Sequence, residues 1–336
     1  MFPLYAFTAD QARRILVERH REISLYNGCP AEVQIIDGLV KGLPYRHTRS
    51  QKPRKALTGK EAPMKVVAVV NGRITSEIAA FYALRYASLH GFPLILLHVQ
   101  NPKDCLDDVE QSMVVIEEAA WRDNVTTERI LLTGNPLTTI RRYLSENRID
   151  TLFCSTSRHR NFFQRSLREQ LICQPLPADL AVVQVVRLDA AHTVRNIVLA
   201  IEEDRLSVKK FAHLASFAKA YGAATEVYSV TRVDSKKLVE LDIHLTRALL
   251  RKINDRLSHY VKLARFMDIT FRIKHAVARN EIDQVLHHLS HHDFQLMIVG
   301  GRRQSGLSRL FRSKPIDRLL RTTPINTIAF YGRDDG

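Results

Sequence analysis

The alternation of apolar and polar positions shows that the chain repeats itself. From Lys65 the sequence KVVAVVNGRITSEIAAFYALRYASLHGFPLILLHVQ gives a short apolar run, a polar turn, a helix-period stretch stopped at Gly91, and a second apolar run. From Arg195 the sequence RNIVLAIEEDRLSVKKFAHLASFAKAYGAATEVYSV gives the same succession, with Gly222 at the stop. Short β-branched runs alternating with helical segments predict βαβ units around a parallel sheet buried on both faces. The two glycines stand where a helix C-terminus takes a left-handed residue. Self-similarity on this scale fixes the architecture before any single residue does.

Each copy continues in the same way. Helices are predicted at Val109–Asp123 and Leu238–Phe266, followed by runs ending at Thr133 and near Ala276. Shorter helices follow at Leu137–Ser145 and Glu281–Ser290, then buried strands at Thr151–Ser155 and Leu296–Val299. A basic loop and a last helix lead to Pro177 or Pro324, and the final strands are Ala181–Val186 and Thr327–Phe330. The predicted fold class is α/β, with two doubly wound, Rossmann-like, five-stranded parallel-sheet domains at 65–190 and 195–332.

Residues 1–64 belong to neither copy. Thr8 and Gln11 form a capping-box pattern for a helix to about Leu25, which Asn27-Gly28 would stop. The stretch RHTRSQKPRKALTGK, Arg46–Lys60, has no apolar period and reads either as a solvated linker or as a basic arm for a polyanion. This helical or irregular extension completes the expected organisation.

Composition narrows the partners. Apolar residues are 45% and charged residues 25% of the chain, as in a globular protein. No window is apolar enough for a membrane span, and charge comes too early in MFPLYAFTADQARR for a secretory signal. Cys29, Cys105, Cys154 and Cys173 lie far apart without a CxxC pair, which fits a reducing, cytoplasmic setting. Fifty Lys and Arg against 35 Asp and Glu give +15. That excess favours nucleotide, nucleic acid, acidic lipid or an acidic protein face as partner.

Several motifs resemble those of tandem universal stress proteins over about Lys65–Phe330. They are the paired strand–helix–strand openings with LLHV at Leu96–Val99, the TGNP of Thr133–Pro136, and IVGGRRQSGLSRLFRSKPIDRLLRTTPINTIAF at Ile298–Phe330. The resemblance implies a five-stranded α/β fold, with domains that pair through their last strands within the chain or between chains. ATP-binding members carry Gly-x-x-Gly-x9-Gly-Ser/Thr, whose bare backbone amides and helix start cradle phosphates.

In the second copy that motif falls on Gly300, Arg303, Ser313 and Lys314, so one of its three glycines survives. Gly301 and Gly306 keep loop freedom there, and Arg302, Arg303, Arg309, Arg312 and Lys314 could hold an anion instead. In the first copy, counting forward puts Ser155, Arg158 and Arg168 on the glycine positions. Counting back from Pro177 shortens the loop by two and puts Ser166 on the third. The family's aspartate after its first strand is Asn71 here in the first copy, followed by Gly72, and Glu202 in the second. The expectation is a nucleotide site lost in the first copy and degraded in the second, where Glu202, Gly300, Gly301, Arg303, Ser313 and Lys314 are the candidates for ATP or AMP.

Other constellations add little. The HHLSHH run places His287/His291 and His288/His292 at a chelating helical spacing but also reads as a solvated helix end. No GxSxG, Walker A or HExxH appears, so no catalytic residue and no metal are assigned. Cys154 and Cys173 read as small core residues. Phe162-Phe163 and Phe311, set among arginines, suit base stacking on nucleic acid or packing under the last helices. The leading expectation is a non-catalytic stress-response regulatory module with a protein partner; ATP or AMP binding by the second copy and polyanion binding are the alternatives.

Overall fold

The computed structural model describes residues 63–100, 105–156, 166–189, 193–201, 208–233, 243–301 and 315–333. The capping-box helix and the basic arm lie outside them, as do Glu202, Arg303, Ser313, Lys314, and both aromatic–arginine loops. The first half runs β1 Lys65–Val69, α1 Ile74–His90, β2 Leu94–Gln100, α2 Leu106–Arg122, β3 Thr127–Thr133, α3 Pro136–Glu146, β4 Ile149–Ser155, α4 Leu167–Ile172 and β5 Asp179–Gln184. The second runs β6 Asn196–Ile201, α5 Val208–Tyr221, β7 Ala224–Arg232, α6 Ile243–Phe266, β8 Arg272–Ala278, α7 Glu281–Ser290, β9 Leu296–Gly301, α8 Pro315–Thr322 and β10 Asn326–Tyr331.

All ten strands join in one sheet, ordered β3-β2-β1-β4-β5-β10-β9-β6-β7-β8. Pairing is parallel within each half and antiparallel where β5 meets β10, with Val183 opposite Ile328. The expected pairing of final strands therefore occurs inside the chain. Both halves lie within one compact unit, Glu61–Gly336.

The strands are apolar on both faces because helices cover both. Val66 and Ala68 of β1 enter the layer under α1, α2, α5 and α6, whereas Val67 enters the layer under α3, α4, α7 and α8. Residues 94–97 of β2 are wholly buried, worth roughly 1.5–3 kcal/mol per large side chain. Helix α1 is buried nearly all round because α5 of the other half packs beside it. Gly91 and Gly222 end these helices at φ +65° and +56°, as expected.

Strand boundaries differ from the expected ones at charged or glycine positions. β5 begins at Asp179, two residues early, because the carboxylate finds buried partners instead of solvent. β9 runs on through Gly300 and Gly301, which pair with Phe330 and Tyr331.

The junction is fastened at both ends of the β5–β10 ladder by equivalent residues of different chemistry. At one end Asn326 Oδ1 accepts from the Val186 and Arg187 amides at 2.8 Å, and its Nδ2 donates to the Tyr82 hydroxyl of α1 at 3.0 Å. Burial pushes the Tyr82 phenol up to about 12, against the lowering effect of the Asn326 hydrogen bond. At the other end Asp179 Oδ1 accepts from the Arg333 amide at 2.8 Å, and Oδ2 meets His213 Nε2 of α5 at 2.7 Å. Tyr86 bridges His213 Nδ1 at 2.8 Å and Asp150 at 3.0 Å. Burial, then the Asp150 charge, push the Tyr86 phenol far upward. Phe153, Phe217 and Phe330 fill the space between, with Phe217 and Phe330 rings 5.6 Å apart.

Candidate functional site

In folds of this kind ligands lie beyond the C-terminal ends of the strands. At that end of β1, the segment after Val70 is tied to itself. Asn71 Oδ1 accepts from the Arg73 amide at 3.2 Å, the Asn71 amide donates to Ser76 Oγ at 3.2 Å, and Ser76 Oγ donates to the Arg73 carbonyl at 2.7 Å. Gly72 has φ +73°, and a Cβ there would sit 2.9 Å from Asp108 Cβ and 3.1 Å from the Val109 nitrogen. The start of α2 thus rests directly on this turn, and only glycine fits. Asn71 is exposed, with its carbonyl oxygen engaged in holding the turn.

At the end of β4, Thr156 Oγ1 donates to Gln184 Oε1 at 2.7 Å, and the Thr156 amide continues the ladder onto the Val183 carbonyl. Helix α4 begins close to the third glycine position of the family pattern. Ser166 is its N-cap: Ser166 Oγ accepts from the Glu169 amide and Glu169 Oε2 accepts from the Ser166 amide, both at 3.3 Å. Counting back from Pro177 puts this N-cap on the third position of the pattern. Arg168, placed on a glycine position by the forward count, is a buried residue of α4, 3.7 Å from both Glu169 and Asp317 of α8. Its guanidinium lies between a carboxylate of each half.

In the second half, Gly300 and Gly301 end β9, at the strand end where a ligand would sit. A Cβ on Gly301 would collide with the ring of buried Tyr331. The bare backbone there accommodates an aromatic side chain of the neighbouring strand. The remaining candidates, Glu202, Arg303, Ser313 and Lys314, lie outside the described residues.

The histidine run divides in two. His287 and His291 stay on the exposed side, rings 4.1 Å apart. His288 is buried, which corrects its reading as part of a solvated helix end: its Nε2 lies 2.5 Å from Glu226 Oε1 of β7 and its ring stacks on Tyr228 at 3.8 Å. Lys274 of β8 completes the group, 3.1 Å from Glu226 Oε2. Burial raises the Glu226 carboxyl, but hydrogen bonds from His288 and Lys274 outweigh that and hold it below its ordinary range. Burial lowers His288. Among the described residues no cluster of three His, Cys, Asp or Glu is arranged to hold a metal.

Burial raises the Cys154 thiol to about 12, as a small core residue would show, whereas Cys173 is only half-buried. Sequence reasoning missed two polar groups, the Asp179–His213–Tyr86 cluster and the Glu226–His288–Lys274 cluster. A signal for the first existed, since Tyr82 and His213 stand at the same distance before Gly91 and Gly222.

No family model matches the chain, and no curated protein matches it. Solved structures do. A universal stress protein from Archaeoglobus fulgidus DSM 4304 is similar with a TM-score of 0.52 at 12% identity, over 79% of this chain and 97% of that one. A functionally unknown protein from Pseudomonas aeruginosa PAO1 gives 0.54 at 13% identity, over 81% and 94%. The cytoplasmic domain of a prokaryotic cation chloride cotransporter gives 0.50 at 12% identity, over 82% and 98%. At such identities the likeness concerns the fold, which is universal stress protein-like. Among the described residues no helix is long and apolar enough to cross a membrane.

Proposed function

We propose that this chain is a non-catalytic regulatory module that acts through its surfaces, with the nucleotide site lost in its first half and reduced to an arginine-rich remnant in its second. The capping box of α4 carries this reading. The Ser166 and Glu169 amides, which a phosphate would need, are already bonded, and the Glu169 carboxylate adds negative charge at that spot. Turning Arg168 across to Asp317 removes a cation from the same place. The +15 charge suits an acidic protein face as the partner, in the cytoplasm, as it suits the other polyanions named above.

Calorimetry of the full chain with ATP and magnesium, paired with mass spectrometry of small molecules released on denaturation, tests the reading. The expected result is no micromolar binding and no co-purified nucleotide. Micromolar ATP or AMP binding abolished by Gly300→Val would replace it with a nucleotide-binding second half. Binding to DNA or acidic vesicles that weakens steeply with salt would replace it with a polyanion binder.

A further inference from the structure

Helices α2 and α6 are equivalent outer members of one helix layer. Each is followed by a left-handed residue, Asn124 at φ +55° and Asp268 at φ +54°, and the next amide bonds back to the Ala120 or Ala264 carbonyl. Val109, Met113, Ile116 and Ala120 face the core from α2, as Ile253, Leu257, Tyr260 and Ala264 do from α6. Between the two helices lie α1 and α5, which pack on each other. The outward stripes of α2 and α6 therefore compare directly, and their chemistry is opposite.

Along α2 the exposed charges are Asp107, Asp108, Glu110 and Glu118 against Arg122. Val114, Val115 and Trp121 lie among them, and Trp121 is 80% exposed. Glu117 is less exposed and is neutralised by Arg129 of β3. Along α6 the exposed charges among the described side chains are Arg247, Arg251, Lys262 and Arg265 against Asp255. Phe266, at the end of α6, is 90% exposed. Helix dipoles do not account for this division. Asp107 and Arg265 suit the ends they occupy, but Glu118 and Arg247 stand in the halves of their helices where the dipole disfavours them.

Symmetry decides how such stripes can meet. β5 and β10 pair antiparallel while α1, α2, α5 and α6 cover the same face, so a two-fold axis normal to the sheet relates the halves. A second copy turned about an axis along the strands sets its α6 on α2 and its α2 on α6, antiparallel in both places. An axis across the strands would instead stack α2 on α2 and α6 on α6, like charge on like. Both helices rise about 1.5 Å per residue. With Leu106 level with Phe266, Asp107 then stands against Arg265, Glu110 against Lys262, and the Trp121 ring against the Arg251 guanidinium.

We propose that the outer face of this helix layer recognises a second copy of the chain, forming a closed dimer in which the acidic α2 of each copy lies on the basic α6 of the other. An acidic protein or a polyanion would engage α6 and be repelled by α2, whereas a second copy uses both stripes at once. The final strands are already paired within the chain, so association between chains takes a different face. Trp and Arg are the residues that most often anchor such contacts, and here they come from opposite copies.

Sedimentation velocity of the full chain tests this. A dimer should form at micromolar concentration, with a dissociation constant that rises about tenfold between roughly 0.05 and 0.5 M salt. Reversing α2 by Asp107→Lys, Glu110→Lys and Glu118→Lys, or α6 by Arg251→Glu, Lys262→Glu and Arg265→Glu, should weaken the dimer about a hundredfold. An equimolar mixture of the two variants should restore it, since each then offers the charge that the other lacks. Carbodiimide cross-linking of the unaltered protein, mixed from isotopically light and heavy chains, gives a reading independent of any variant: Glu110–Lys262 links should join light to heavy. A monomeric unaltered protein, a dimer retained by either variant, no recovery on mixing, or links confined to one isotope would each overturn the proposal. A monomer that binds DNA through Arg251 and Lys262 would assign α6 to a polyanion instead.

Discussion

Two ends of one junction solve the same problem with different groups. Tyr82 and His213 occupy matching positions on α1 and α5, and Asn326 and Asp179 open the matching strands β10 and β5. One end is a neutral phenol–amide pair that satisfies four hydrogen bonds; the other is a carboxylate, an imidazole, a second carboxylate and Arg333. The backbone contact is the same in each: the side chain that begins a final strand receives the amide that follows the opposite one. Geometry is thus shared by the copies while charge has become asymmetric. The charged end carries a desolvation cost that only complete pairing offsets.

Breaking that pairing is the largest expected effect. Asp179→Ala strands His213 and the Arg333 amide and should cost about 3–5 kcal/mol in urea unfolding, the range for removing one partner of a buried pair. Asn326→Ala should cost less, about 1–3 kcal/mol, for orphaned neutral groups. Equal losses would mean that charge does not distinguish the two ends.

A smaller contrast lies at the ends of β4 and β9. Gly301→Ala drives a methyl group into Tyr331 and should destabilise by about 1–3 kcal/mol, whereas Thr156→Ala, at the matching position, removes one hydrogen bond and should cost about 1 kcal/mol. The reverse order in thermal unfolding would show that the Tyr331 ring moves aside freely.

The subtlest contrast is in pH. Glu226 and His288 both have lowered pKa values in the fold, so the unfolded chain binds their protons more readily. Stability is then fully present above the ordinary histidine value of about 6.5 and declines as pH falls below it, continuing through the ordinary carboxylate range near 4.3. Replacing the cluster by the first half's residues, as Glu226→Ile, Lys274→Ile and His288→Tyr together, should flatten the stability profile between pH 7 and 5. An unchanged slope would assign the acid sensitivity elsewhere.

The repeat, the element order and the pairing of final strands were legible because periodicity and terminal glycines report backbone geometry directly. The register of the first copy's loop was not legible by counting, since the forward count puts Arg168 and the backward count Ser166 on the third glycine position. Ser166 and Glu169 do spell a capping box, and that pattern was the available signal. Asp179, Glu226 and His288 were harder. A charged residue in an apolar run reads as a boundary or a surface, and its partner lies up to 62 residues away in the Glu226–His288 case. Sequence spacing does not report which distant side chain will neutralise it.

Because β5 and β10 run antiparallel, the strand polarity reverses at the middle of the sheet. The carboxyl ends of the first five strands therefore open on one rim of the molecule and those of the second five on the rim opposite. The two strand-end surfaces where folds of this kind place their ligands thus face away from each other.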